Sequence, residues 1–219
     1  MTRGWLAALG LAAAAIGAIA LTALPRATAD SDRPRLALLT SLPLLLGEQF
    51  GLEAPRSEAV SRIGRDFTIA PIAVADQASL AGHSLLLMAH PRAQPAEALV
   101  ELDRWVRSGG AVVLLADPHL AWESSRPLGD RLRPPPDFAD TGLLAHWGLR
   151  LASDGAGEGS LRATNSDCTV RESGLVGVCR VGRGSARVIA DADFIMGTGE
   201  DAPRRLALLM GQLKAESPR

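Results

Sequence analysis

From residue 35 onward, short apolar runs alternate with amphipathic stretches, and this alternation predicts a parallel α/β fold. The clearest unit lies between residues 84 and 118. Residues 84–89 (SLLLMA) and 111–116 (AVVLLA) are unbroken apolar runs, the pattern of strands covered on both faces. Between them, Pro95 suits the first turn of a helix, where its missing N–H costs nothing. Ala98, Leu99, Leu102, Trp105 and Val106 recur on one helical face, with Glu97, Glu101, Arg104 and Arg107 on the other. Gly109-Gly110 then stops the helix.

The same reading extends to the rest of the chain. Residues 35–40 (RLALLT) predict a first strand, 57–65 a helix with Ser57 as N-cap, and 67–73 a second strand that Pro71 places at a sheet edge. After residue 116 comes a long irregular stretch, 122–140, with Pro127 and the run Pro134-Pro135-Pro136; such a loop in a compact domain is usually functional or mobile. A short helix over 141–147, capped by Asp140 or Thr141, leads into an extended piece at 149–151 and a glycine-rich turn at 155–159. Gly182-Arg183-Gly184 turns the chain into a buried strand at 186–190. A helix at 202–214 closes it, with Leu206, Leu209, Met210 and Leu213 on its apolar side. The fold class is therefore three-layer α/β with a mostly parallel sheet and a β-hairpin extension.

The N-terminus changes the picture from fold to compartment. Residues 5–24 carry no charge, long enough at about 1.5 Å per residue to cross a hydrocarbon layer of about 30 Å. The segment 1–29 reads either as a signal peptide, cleaved after the small-x-small Ala27-Thr28-Ala29, or as an uncleaved inner-membrane anchor. Both readings place the α/β domain, residues 30–219, in the periplasm. A net charge of −1, with 4% aromatic residues, offers no basic, aromatic-bearing stripe for nucleic acid.

An exported domain also oxidises suitably placed thiols. Cys168 and Cys179 are symmetric about Ser173-Gly174, a turn signal, so pairing of 169–171 with 176–178 sets the two cysteines opposite each other. Opposed antiparallel residues lie about 4.5–5.5 Å apart at Cα, within disulfide reach. Two buried free thiols are the alternative. No further Cys or His lies nearby to complete a metal set.

Four segments carry a family resemblance: LLLMAHP, PAEALVELDRWVRSGGAVVLLADP, DTGLLAHWGLRL and GRGSARVIADADFI. Together they resemble the extracytoplasmic domain of gliding-motility and ABC-transport auxiliary proteins. The resemblance implies a class I glutamine amidotransferase-like fold and a non-catalytic accessory module, partnered by an ABC transporter permease or ATPase or another inner-membrane protein, without a cofactor. True class I amidotransferases use a cysteine on a strand-to-helix elbow beside an activating base. Here the only cysteines fall in the expected hairpin, so the fold carries over without the chemistry.

Polar residues nonetheless gather at the predicted carboxyl ends of the strands, where open α/β sheets bind ligands. Thr40 and Ser41 end the first strand, His90 follows the third, Asp117 and His119 follow the fourth, and Asp191 and Asp193 end the late strand. Taken as chemistry, Ser41, His90 and Asp117 would form a hydrolytic triad, or His90, Asp117, His119 and Asp191 a metal site. Taken as structure, the aspartates cap loops, Asp-Pro being turn chemistry. Trp122 and Trp147 are expected as core or loop anchors. Two functions follow: an accessory or binding module of an ABC-type transport system, or a small periplasmic hydrolase working at the strand ends.

Overall fold

The computed structural model describes residues 33–48, 57–154 and 157–217, so the segment at 5–24 and its membrane reading lie outside the described residues. The chain runs β1 (Arg35–Thr40), α1 (Glu58–Asp66), β2 (Thr68–Ile72), α2 (Gln77–Leu80), β3 (Leu85–Ala89), α3 (Ala96–Arg107) and β4 (Ala111–Leu115). It continues through α4 (Leu143–Trp147), β5 (Leu149–Ser153), β6 (Gly159–Ala163), β7 (Cys168–Arg171), β8 (Val176–Val181), β9 (Gly184–Ile189) and α5 (Ala202–Glu216). Seven strands form one sheet in the order β2-β1-β3-β4-β9-β8-β7, while β5 and β6 pair separately. The first five in that order are parallel, and β8 and β7 add as antiparallel strands. The predicted α/β class is what folds.

The apolar runs are buried because both faces are covered. Leu36, Leu38, Leu85, Leu87 and Val113 point toward α1 and α5, packing with Ile63, Leu206, Leu209 and Leu213. Their neighbours Ala37, Leu86, Met88 and Val112 point the other way, onto Leu102 and Val106 of α3 and onto Leu144 and Trp147 of α4. Ser57 caps α1 as expected, its hydroxyl accepting from the Val60 N–H at 3.1 Å. Pro95 differs slightly: it is the N-cap of α3, one residue ahead of the helix. Gly109 ends that helix at φ 116°, where a side chain would be strained. Pro71 sits in the edge strand β2, where its missing N–H leaves no ladder bond unmade.

Three elements were not anticipated: α2, the pairing of residues 149–153 with 159–163, and the 3₁₀ turn Asp193–Met196. Each is short and only partly apolar, so periodicity has little to register.

Cys168 pairs directly with Cys179 across β7 and β8, and the two form a disulfide. Thr169, Val170 and Arg171 face Val178, Gly177 and Val176, the register that the symmetry about Ser173-Gly174 predicts. On the chain-entropy model a loop of this length contributes about 2–3 kcal/mol by restricting the unfolded chain. The bond is compatible with an extracytoplasmic, oxidising location. Among the described residues, no helix is long and apolar enough to cross a membrane.

Candidate functional site

Because β2 and β3 flank β1 on opposite sides, the order of strands reverses between β1 and β3, and the crevice beyond their carboxyl ends is where such folds hold ligands. Here that crevice is filled by the protein itself. The Thr40 hydroxyl donates to the Ala89 carbonyl at 2.8 Å and accepts from the Leu42 N–H at 2.9 Å. The Ser41 hydroxyl donates to the His90 carbonyl at 2.5 Å. His90 is fully buried, and its Nε2 lies 2.9 Å from the Pro135 carbonyl oxygen. The triad is therefore not assembled: the Ser41 hydroxyl bonds to the backbone of His90, and the imidazole faces Pro135.

His90 adopts φ 44°, left-handed backbone that costs a residue with a Cβ about 1 kcal/mol or more. Its Nδ1 is buried without a hydrogen-bond partner. Neither property has a signal in the sequence, since both arise from the loop that closes over the strand.

The long loop after β4 is pinned at several points. Arg92 donates to the carbonyls of Arg131, at 2.9 Å, and Arg133. Arg133 in turn donates to the carbonyls of Ser124, at 3.1 Å, and Arg126. The Glu48 carboxylate accepts from the Ser124 hydroxyl and from the Ser125 N–H at 2.7 Å. Burial acts against ionisation of Glu48, but the hydrogen bonds from Ser124 and Ser125 and the Arg126 charge outweigh it and hold the carboxyl below its ordinary value. The Leu120 N–H and Phe138 N–H bond to the carbonyls of Pro136 and Asp117, at 2.7 and 2.8 Å. Trp122 packs against the core as a loop anchor, and Trp147 is buried with its Nε1–H donating to Asp103 at 3.0 Å.

With the β1/β3 crevice closed, the open space lies one step along the sheet, beyond β4 and β9. A cleft of about 540 Å³ is lined there by Asp117, Asp191, Asp193, Glu158, Glu172 and Arg205, among others. An oxygen from each of Asp117, Asp191 and Asp193 lies within 4.8 Å of the others. Oxygen donors of this kind suit a hard cation. In this arrangement, however, their charge is already in use. Asp117 accepts from the N–H groups of Ala192 at 2.8 Å and His119 at 3.0 Å. Asp193 accepts from Ala121 at 3.1 Å and Trp122 at 2.7 Å, and Asp191 pairs with Arg205. The structure thus brings Asp117, Asp191 and Asp193 together. It leaves His90 under Pro135, and His119 exposed beside Asp137 at 3.3 Å.

Burial above all pushes the Asp117 carboxyl above its ordinary 3.8; the two N–H groups oppose the rise, and the charges of Asp193 and Asp191 add to it. A raised value means that folded protein binds this proton more tightly than unfolded protein does. The stability so gained is complete below pH 3.8 and is lost as pH rises through the raised value. Asp117→Asn, which carries no titrating proton, should therefore compare least favourably with the parent protein in acid and progressively better as pH rises through the raised value. Urea melts across that range test this; a penalty that grew with pH would contradict it.

No family model matches this sequence, and no curated protein matches it. Among solved structures, the chain is similar to the mmIFT52 N-terminal domain at 12% identity and TM-score 0.52, covering 82% of this chain and 97% of that one. It is also similar to the exo-beta-1,4-mannosidase Op5Man5 from Opitutaceae bacterium strain TAV5, at 15% identity and TM-score 0.48, covering 85% of this chain. The chain spans 37% of that mannosidase's length. A third likeness is to the cytoplasmic protein STM3548 from Salmonella typhimurium, at 11% identity and TM-score 0.49, covering 84% of this chain and all of that one. At these identities the likeness concerns the fold alone.

Proposed function

We propose that this protein is a non-catalytic extracytoplasmic module that works by contact, as an accessory component of an ABC-type transport system at the inner membrane. The observation that carries the contact role is the commitment of the strand-end groups to the backbone. The Ser41 hydroxyl bonds to the His90 carbonyl instead of its imidazole, so this serine and this histidine do not form a nucleophile–base pair. The loop above them is held by Arg92, Arg133 and Glu48 while Leu128, 88% exposed, and Leu132, 52% exposed, project from it. A braced loop with exposed leucines is a recognition element of low ordering cost. The transporter assignment rests on the resemblance of the four sequence segments.

A photo-crosslinking residue placed at Leu128 in cells tests this reading. Adducts with the permease of an ABC transporter are expected, and Glu48→Ala or deletion within 126–137 should reduce them about tenfold by releasing the loop. Ser41→Ala should leave both the adducts and any transport phenotype intact. Hydrolysis of ester, amide or glycoside substrates that is lost with Ser41→Ala or His90→Ala would replace this reading with the hydrolase.

A further inference from the structure

The parallel strands give the domain two unlike poles. The register pairs Arg35 with Thr68, Leu36 with Leu85, Leu85 with Ala111 and Ala111 with Ser185, so the residues entering these strands share one edge. Hydrogen bonds along that edge tie it together: Ala111 N–H to the Ser84 carbonyl at 2.9 Å, Arg183 N–H to Arg107 at 3.1 Å, and the Arg183 guanidinium to Ser108 at 3.0 Å. The crossover helices return to the same edge, which therefore receives Arg65, Arg104, Arg107 and Lys214 from their last turns. Arg35 and Arg183 join them, all six exposed.

The carboxylates at this edge, among the described residues, are already paired: Asp66 with Lys214 at 2.9 Å, Asp103 with Arg107 at 2.7 Å, Asp167 with Arg180 at 2.8 Å, and Glu216 with Arg187. Arg35, Arg65, Arg104 and Arg183 make no ion pair among the described residues. In the cleft at the strand-exit pole the balance is reversed, with seven Asp and Glu residues and a single Arg in its lining. Helix dipoles account for cations in the last turns of α1 and α3. They do not account for Arg35 and Arg183, which stand on strand entries.

We infer that the strand-entry pole docks on an anionic phospholipid surface. Two facts select a membrane over other polyanions. The described chain enters the domain at Arg33, on this same edge, and only eight residues, 25–32, separate it from the uncharged segment 5–24. Eight residues reach at most about 29 Å. Each arginine near such a surface strengthens its hold about fivefold, within a screening length of about 8 Å in physiological salt. The docked orientation turns the strand-exit pole, with its cleft and braced loop, away from the bilayer, so the loop meets those parts of a membrane partner that rise above the bilayer surface.

This inference rests on the reading of segment 5–24 as membrane-entering, so the test reads the two separately. The full chain is mixed with vesicles of phosphatidylcholine alone or with phosphatidylglycerol at roughly three to one, and sedimented in low salt and in about 0.5 M salt. Sedimentation in every condition reports the inserted segment and leaves amide hydrogen exchange to read the docking. Exchange at residues 33–35, 65–68, 107–110 and 183–184 should then slow about fivefold or more in anionic vesicles at low salt, and recover in high salt. Replacing Arg35, Arg65, Arg104 and Arg183 together by Gln should abolish the difference. A chain that does not insert supports docking if it sediments only with anionic vesicles at low salt, and overturns it if it sediments with none. Equal protection in neutral and anionic vesicles, protection confined to the loop at 122–140, or protection that survives the four substitutions also overturns it.

Discussion

Gly184→Ala is expected to cost about 4 kcal/mol or more, a large share of a domain stability of about 5–15 kcal/mol. A Cβ at this position would stand 2.1 Å from the Gly110 carbonyl oxygen and 2.2 Å from that of Val106. Both are backbone atoms, so relief requires β9 to move away from the end of α3 and from β4, its parallel partner. Gly182, at φ 60° and with Arg107 backbone 2.8 Å from its would-be Cβ, is held the same way. The G-x-G turn is thus a packing device that lets the β8–β9 hairpin press against a helix end. Circular dichroism and urea melts of the variant check this; a midpoint near that of the parent protein would refute it.

Leu102→Ala should cost about 2–5 kcal/mol. The side chain is 0% exposed and sits with Val106 on Val112, Leu114 and Met88, so truncation leaves a cavity between a helix and a sheet covered on both faces. Val100→Ala, two residues away and 58% exposed, serves as the comparison and should cost less than about 0.5 kcal/mol. Equal effects at the two positions would mean that α3 does not pack as described.

Much of this architecture was legible in the sequence because burial on two faces writes itself as an unbroken apolar run. Residues 85–89 and 111–115 are buried at every position and were readable at once. The cysteine hairpin was readable because its register is local, fixed by a short connection over residues 172–175. The strand-end residues were found but their bonding was not. Whether Ser41 meets the imidazole or the carbonyl of His90 depends on the φ of His90 and on Pro135, 45 residues further along. The brace from Glu48 to Ser124 and Ser125 spans 76 and 77 residues and has no period to betray it. Chemistry at the site is therefore decided by backbone geometry and long-range polar contacts, which leave no mark in hydropathy.

The two lateral edges of the seven-stranded sheet share a property that matters before the protein ever meets a partner. An open edge is a template onto which another chain can add a strand. On one side Pro71 removes a donor from the middle of β2 and breaks the row that an incoming strand would need. On the other, β7 is only four residues long and covalently stapled to β8. Blunting both borders lowers the chance that another chain adds a strand to this sheet while the protein folds. At these two borders a partner is therefore steered toward binding through side chains and loops instead of through backbone ladders.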